Sequence, residues 1–107
     1  LSQVASDPQL ANLVRRADNG EELTPDEAHQ YAHRSAAFFR FFENVHYQYR
    51  QGLYDEIEYQ AHRKGWRFFF ESSATAAQNW CSYREYVSPV LRDEIDSLID
   101  ERVCAID

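Results

Sequence analysis

Apolar side chains recur at helical spacing over one long stretch between Thr24 and Gly52. The steps of three and four residues run without a break through Ala28, Tyr31, Ser35, Phe38, Phe42, Val45 and Tyr49. Such steps line one face of an α-helix, whereas a half-buried strand alternates at every second residue. The pattern therefore predicts a helix over about 25–51, roughly 40 Å long.

Both ends of this stretch carry helix boundary signals. Thr24, followed by Pro25 and Glu27, fits a capping box with proline at the first helical position. Gly52 fits the other end, because glycine readily adopts the left-handed conformation in which many helices stop.

The middle of the stretch is an aromatic run at positions 38–42, in which four phenylalanines surround Arg40. At about 100° per residue the four rings cover roughly 160° of the helix surface, with Arg40 on the other side. A face this wide needs more than one partner helix. We therefore predict an all-α fold, an antiparallel bundle of about five helices around the long helix at 25–51.

Two further helices flank the long one. Asp7-Pro8 starts the first and Asn19-Gly20 ends it, while residues 1–5 resemble the end of a helix that begins upstream.

The third helix runs from about Leu53 to Glu71, and the short joint at Gly52 makes it antiparallel to the long helix. Its predicted inward side is a line of five residues widened near its end by three aromatic rings: Tyr54, Ile57, Ala61, Gly65 and Phe68, with Trp66, Phe69 and Phe70. Gly65 would allow close contact with a neighbouring helix or mark a kink.

The rest of the chain predicts two helices that follow serine caps. Ser72-Ser73 precedes a helix over about 74–86, with an inward set of Ala77, Trp80, Cys81 and Val87. Ser88-Pro89 begins the last helix, with an inner face of Leu91, Ile95, Leu98, Ile99, Val103 and Ile106. Its outer face would be acidic, formed by Asp93, Glu94, Asp96, Asp100 and Glu101.

Composition indicates one helical domain over residues 1–107. Hydrophobic residues make up 44% of the chain and aromatic residues 15%, which excludes a disordered tail. Three glycines and three prolines leave little material for the many turns of a β fold. The chain begins at Leu1 and contains no methionine, so we expect it to be a fragment of a longer protein.

Net charge and cysteine content limit the kinds of partner and the cellular compartment that we expect for this chain. The net charge of −7 argues against nucleic acid or anionic lipid as the main partner, because both require a basic surface. No run of about 18 apolar residues is present to span a membrane. Two free buried thiols at Cys81 and Cys104 are favoured over a disulfide, because no secretory feature accompanies them.

Several motifs together carry a family resemblance. They are Leu23-Thr-Pro-Asp-Glu27, the run FFRFFENVHYQYRQGLYD at 38–55, Trp66, Trp80 and Ser88-Pro89. Over residues 7–100 the chain resembles the C-terminal part of a bacterial family of unknown function, in which one N-terminal membrane helix precedes an all-helical domain. The resemblance implies a membrane-tethered domain on the cytoplasmic side of the inner membrane and implies no activity. His46 departs from the family pattern, where an aromatic residue is expected.

One spacing points to a metal site. Glu43 and His46 have the Glu-x-x-His spacing of carboxylate di-metal bundles, and Glu58 and His62 come close to it at four residues apart. A complete site needs two such motifs and two further inward carboxylates. We therefore favour a histidine hydrogen-bonded to a neighbour such as Glu43, and keep a transition metal on these four residues as the alternative.

A second pair of histidines has a spacing that can clamp a metal ion. His29 and His33 are four residues apart, but Gln30 stands where a metalloprotease helix carries glutamate. Two histidines supply only half of the usual zinc ligands. A solvated pair on the polar side of the long helix, together with Arg40 and Tyr47, is the better interpretation.

Polar residues of the family-like run form a second candidate site. Asn44, Tyr47, Gln48 and Arg50 would make a docking patch or small polar pocket. The structural interpretation, which we favour, is that Glu43 and Arg50 pair with charges on the third helix such as Glu56 or Glu58.

No catalytic constellation emerges from the sequence. Trp66, Trp80 and the phenylalanine clusters favour core packing over a ligand cavity, and Cys81 has no histidine base near it in sequence. We expect a non-catalytic interaction or regulatory domain without a cofactor, which associates with itself, as a homodimer for example, or docks a protein with a basic surface.

Overall fold

Five α-helices without strands make up the part of the chain that this computed structural model describes, residues 7–100 and 103–104. They are α1 (Pro8–Asp18), α2 (Pro25–Arg50), α3 (Glu56–Ser72), α4 (Ala74–Tyr83) and α5 (Pro89–Asp96), with a 3₁₀ turn at Arg84–Tyr86. The predicted all-α bundle is confirmed. The expectations for residues 1–5, Glu101 and Ile106 lie outside the described residues.

Four of the predicted helix starts are confirmed by their hydrogen bonds, whereas the third helix begins at Glu56 and not near Leu53, because the Asp55 side chain caps it by accepting from the N–H of Glu58. The Asp7 carboxylate accepts from the backbone of Gln9 and Leu10 at the start of α1. Thr24 and Glu27 form the complete capping box of α2. Ser73 and Ser88 accept from backbone N–H groups in the first turns of α4 and α5, at Ala76 and Leu91. Each side chain thus satisfies a donor that a helix terminus leaves free.

The core forms on one side of α2, against α3, α4 and α5. Trp80 of α4 is fully buried, and its ring lies 5.3 Å from Phe39 of α2. The main cluster comprises Phe39, Phe42, Val45, Tyr59, Trp66, Phe70, Ala77, Trp80, Val87, Leu91, Ile95 and Leu98. Helix α4 contacts α1, α2 and α3, so this short helix joins the first two helices to the third.

The aromatic run of α2 is buried less evenly than its spacing predicts. Phe39 and Phe42 are buried, Phe38 is half-buried, and Arg40 faces solvent. Phe41 is 52% exposed, so its predicted place in the apolar contact surface is wrong. The reason is that the partner helices pack on only one side of α2 and leave the Phe41 edge of the stripe uncovered.

The predicted inward side of α3 is wrong for the line from Ile57 to Phe68, although the predicted burial of Trp66 and Phe70 is confirmed. Ile57 and Phe68 are 84% and 71% exposed, and Ala61 and Gly65 also face solvent. The helix instead buries the opposite face, formed by Tyr59, Trp66 and Phe70. Helix α3 is apolar on two sides, and the three rings of the buried face remove more apolar area from water than Ile57 and Phe68 with two small residues between them would. A β-carbon at Gly65 would meet nothing within 4 Å, so no neighbouring helix approaches there.

The last helix is shorter than its periodicity predicts. Helix α5 ends at Asp96, where the Ser97 hydroxyl donates to the carbonyl of Glu94 and the N–H of Leu98 bonds to Ile95. Leu98 still reaches the core, but from a turn.

Cys104 pairs with Cys81 in a disulfide, with the two Cα atoms 5.2 Å apart. The preference for two free thiols is therefore wrong. The pairing requires the chain to fold back after α5, which the long-helix prediction did not include.

Candidate functional site

An apolar groove with a volume of about 900 Å³ runs between α2 and α3. Its walls include Ala37 and Phe41 from α2, and Ala61, Gly65 and Phe68 from α3. All five are exposed, so the groove is open to solvent along its length. Grooves of this size and character are the usual binding sites of proteins.

Aromatic rings form the floor of this groove. Phe38 of α2 lies 4.8 Å from Phe69 of α3, measured between ring centroids, and Phe42 lies 5.3 Å from Trp66. These rings belong to the core or pack against it, so the floor is fixed by the fold. A ligand would therefore meet a preformed apolar surface, which lowers the entropic cost of binding.

A hydrogen-bonded junction closes one end of the groove. The Tyr31 hydroxyl donates to Asp18 at 2.6 Å and lies 2.7 Å from the Ser73 hydroxyl. Burial, together with the hydrogen bond to Asp18, raises the pKa of Tyr31 above its usual range. Thr75 adds a bond of 2.6 Å to the carbonyl of Ala17. The junction ties α1, α2 and the start of α4 together.

Charged groups are few around the rest of the groove. Arg34 places its guanidinium 5.2 Å from the centre of the Phe38 ring. At the other end His62 packs edge-on against Tyr54 and lies 6.1 Å from Phe41, next to Glu58. The groove is therefore apolar along its middle and carries charge only near its two ends.

The four predicted metal ligands do not converge. His46 is buried, 6.1 Å from the ring of Tyr59 in the core, whereas His62 and Glu58 line the groove. Within residues 7–100 and 103–104, no three His, Cys, Asp or Glu side chains come together where they could hold a metal ion. The structure gives the metal interpretation no supporting geometry.

His46 has a structural partner on its own helix. Its Nδ1 accepts a hydrogen bond of 3.3 Å from Arg50, so the partner of His46 is Arg50 and not the predicted Glu43. Burial, and to a smaller extent the charge of Arg50, lowers the pKa of His46 below its ordinary value. Both effects favour the neutral imidazole, which is the form that can accept a hydrogen bond from Arg50.

The predicted polar patch of α2 is a solvent-facing surface. Gln48 donates to Asn44, and the Arg50 guanidinium lies 5.5 Å from the centre of the Tyr47 ring. The predicted pairing of Arg50 with Glu56 is not formed. Glu56 instead accepts from Tyr49 at 2.8 Å and from Gln60. The patch makes local contacts along α2.

The remaining predicted pair, His29 and His33, is exposed, with ring centroids 4.6 Å apart.

Two ion pairs of α5 were missed by the sequence prediction. Asp96 accepts from Trp80 at 2.9 Å and pairs with Arg84, and Glu94 pairs with Arg63 of α3. Both acids were expected on a solvated outer face. No sequence signal identifies these pairs, because their partners lie 12 to 31 positions away.

The groove was also missed, although its signal is present in the sequence. Helix α3 carries more apolar residues than one buried face can use, as Ile57 and Phe68 lie opposite Tyr59 and Phe70. An excess apolar face on a surface helix marks a contact site.

Comparisons of this chain with protein-family models, with curated proteins and with solved structures give no match. Among the described residues, none of the helices combines the length and the apolar character needed to cross a bilayer.

Proposed function

We propose that this chain is a non-catalytic interaction domain that binds a protein through the groove between α2 and α3. The observation that carries the proposal is the exposure of Phe41 and Phe68 beside a preformed aromatic floor. Monomeric proteins rarely leave contiguous apolar surface of this kind uncovered unless it serves in binding. Aromatic residues are also the side chains most enriched at protein contacts.

The rest of the proposal concerns the parent protein. The resemblance supports a bacterial membrane-tethered protein with this domain at the cytoplasmic side. The disulfide between Cys81 and Cys104 favours the opposite side, because such bonds persist in oxidising compartments and are rare in the cytoplasm. We therefore propose that the domain faces an oxidising compartment.

Site-specific photo-crosslinking in cells that express the parent protein tests the groove. A photoreactive phenylalanine analogue at Phe41 should give adducts with a protein, because that ring borders the groove. The same analogue at Tyr47 is the matched control, since Tyr47 lies on the same helix and is exposed to nearly the same extent, 53% against 52%.

The outcome also separates the two candidate surfaces. Adducts at position 41 that disappear on Phe68→Ser support the groove. Adducts at position 47 alone would shift the contact to the polar patch of Asn44, Tyr47, Gln48 and Arg50. No adduct at either position contradicts the proposed function.

The alternative function, a metal- or small-ligand-binding bundle that uses Glu43, His46, Glu58 and His62, stays a prediction. Near-stoichiometric iron, manganese or zinc in untreated protein, lost in Glu43→Ala, would establish it.

A further inference from the structure

Helix α3 carries a second apolar line, which is exposed in the part of the chain that the structure describes. Ile57, Ala61, Gly65 and Phe68 follow one another at steps of four, four and three residues, and all four are exposed. Leu53, in the loop that precedes α3, is another exposed apolar residue, with 73% of its surface accessible. We call Ile57, Ala61, Gly65 and Phe68 the outer seam. Its spacing is that of a helix contacting another helix.

The outer seam is self-complementary in shape. Its large side chains, Ile57 and Phe68, lie at the two ends, and its small residues, Ala61 and Gly65, lie in the middle. A two-fold axis that passes between Ala61 and Gly65 would place small against small, so that two antiparallel copies of α3 could approach closely. The space beside Gly65 is open, since a β-carbon there would meet nothing within 4 Å.

The same arrangement would cover the groove. Phe68 borders both the outer seam and the groove, and Phe41 lies on the facing wall. Under the two-fold axis, the Ile57 end of one copy meets the Phe68 end of the other. The exposed rings of both copies are then removed from water together, which is the main favourable term in association.

The charge of α3 also suits a second copy. The whole chain carries a net charge of −7, which would oppose self-association through most of its surface. Helix α3 is balanced, with three basic residues and three acidic ones: Arg63, Lys64, Arg67, Glu56, Glu58 and Glu71. Because α3 has no excess of acidic residues, it offers no net charge to attract a partner with a strongly basic surface.

We propose that the occupant of the outer seam and groove is a second copy of this chain, packed antiparallel through α3 in a symmetric dimer. The inference rests on the proposed function, because it names the protein that this contact surface binds. The net charges of the two copies repel one another, so the dimer tightens as salt screens them. Binding of this acidic chain to a basic protein would instead weaken as the salt concentration rises.

Sedimentation equilibrium of the purified chain, from micromolar to near-millimolar concentration at low and high salt, tests the proposal. The unmodified chain should form a dimer that strengthens with salt. Ala61→Glu should raise the dimer dissociation constant by at least about tenfold, because it places a charge in an apolar contact on both copies. Ala32→Glu is the matched control, as it adds the same charge at an exposed alanine of α2.

Folding of each variant is checked by circular dichroism, and both alanines are exposed, so the helices are expected to form. A chain that stays monomeric at the highest concentration and salt overturns the inference, as does a dimer that Ala61→Glu leaves unchanged. Neither result overturns the proposed function, because adducts at position 41 with a different protein would still support the groove as a binding site.

The orientation has its own test. With Cys81 and Cys104 already paired, Ile57→Cys and Phe68→Cys chains mixed together should cross-link to each other and not to themselves. Self-linked Ile57→Cys chains would indicate parallel packing and overturn the antiparallel arrangement.

Discussion

At the scale of single residues, two buried tyrosines differ in how their hydroxyl groups are satisfied. The Tyr31 hydroxyl has two partners, Asp18 and Ser73. The Tyr59 hydroxyl is buried and has no hydrogen-bond partner within residues 7–100 and 103–104. A buried polar group without a partner costs about 1–3 kcal/mol, whereas a satisfied one contributes about 1 kcal/mol net. The same chemical change therefore has opposite consequences at the two positions.

We predict that Tyr59→Phe leaves the free energy of unfolding unchanged or raises it by about 1 kcal/mol, because it removes only an unsatisfied group. Tyr31→Phe should lower it by about 1–3 kcal/mol, since Asp18 and Ser73 lose their common partner. Urea denaturation of the two variants beside the unmodified protein measures both changes. A larger loss at Tyr59 than at Tyr31 would contradict the assigned contacts.

At the scale of elements, α3 is the helix with conflicting requirements. One face packs Tyr59, Trp66 and Phe70 into the core, and the other presents an uncovered apolar line with Gly65 in the middle. Glycine in a helix interior weakens the isolated helix, and no packing within the domain requires it here. The missing side chain at Gly65 therefore matters only if another molecule packs closely against α3.

Gly65→Ala should raise the free energy of unfolding by about 1 kcal/mol, because alanine is the better helix former and its methyl group has free space. Thermal unfolding at low protein concentration, where the chain is monomeric, checks this. Ala61→Gly, at an exposed position of the same helix, should cost about the same amount and serves as the reverse control. A loss of stability in Gly65→Ala would mean that a neighbour fills the space beside Gly65.

At the scale of the whole molecule, one covalent link holds the C-terminal segment to the bundle. The disulfide joins Cys81 on α4 to Cys104 across 23 positions, and α5 with its core residues Leu91 and Ile95 lies inside this loop. Closing a loop of this length reduces the entropy of the unfolded chain. The stability of the packed domain is therefore linked to the redox state of its surroundings.

Reduction, or the paired substitution Cys81→Ala with Cys104→Ala, should lower the free energy of unfolding by about 3 kcal/mol. The midpoint temperature should fall on the order of 15 °C. Thermal unfolding with and without reductant measures the effect, and the variant without cysteines should not respond to reductant. Two thiols that react in the native protein without prior reduction would contradict the disulfide and the oxidising compartment proposed with it.

The helices of this fold, and most of the positions at which they begin and end, could be predicted from the sequence. Caps at Asp7, Thr24, Ser73 and Ser88, and the stop at Gly52, depend on bonds between residues two to four positions apart. Such signals can be recognised in the sequence without knowledge of the tertiary structure. For the same reason the long helix over Pro25–Arg50 and the all-α class were correctly predicted.

Only the tertiary structure decided which side of each helix is buried and what lies between them. Periodicity located the apolar line of Ile57, Ala61, Gly65 and Phe68, but it could not rank that line against the face of Tyr59, Trp66 and Phe70. The ranking depends on the apolar area that each face buries against α2, α4 and α5, and that area exists only after the helices pack. The disulfide and the groove have the same origin, because each joins residues whose distance in space the chain order does not fix.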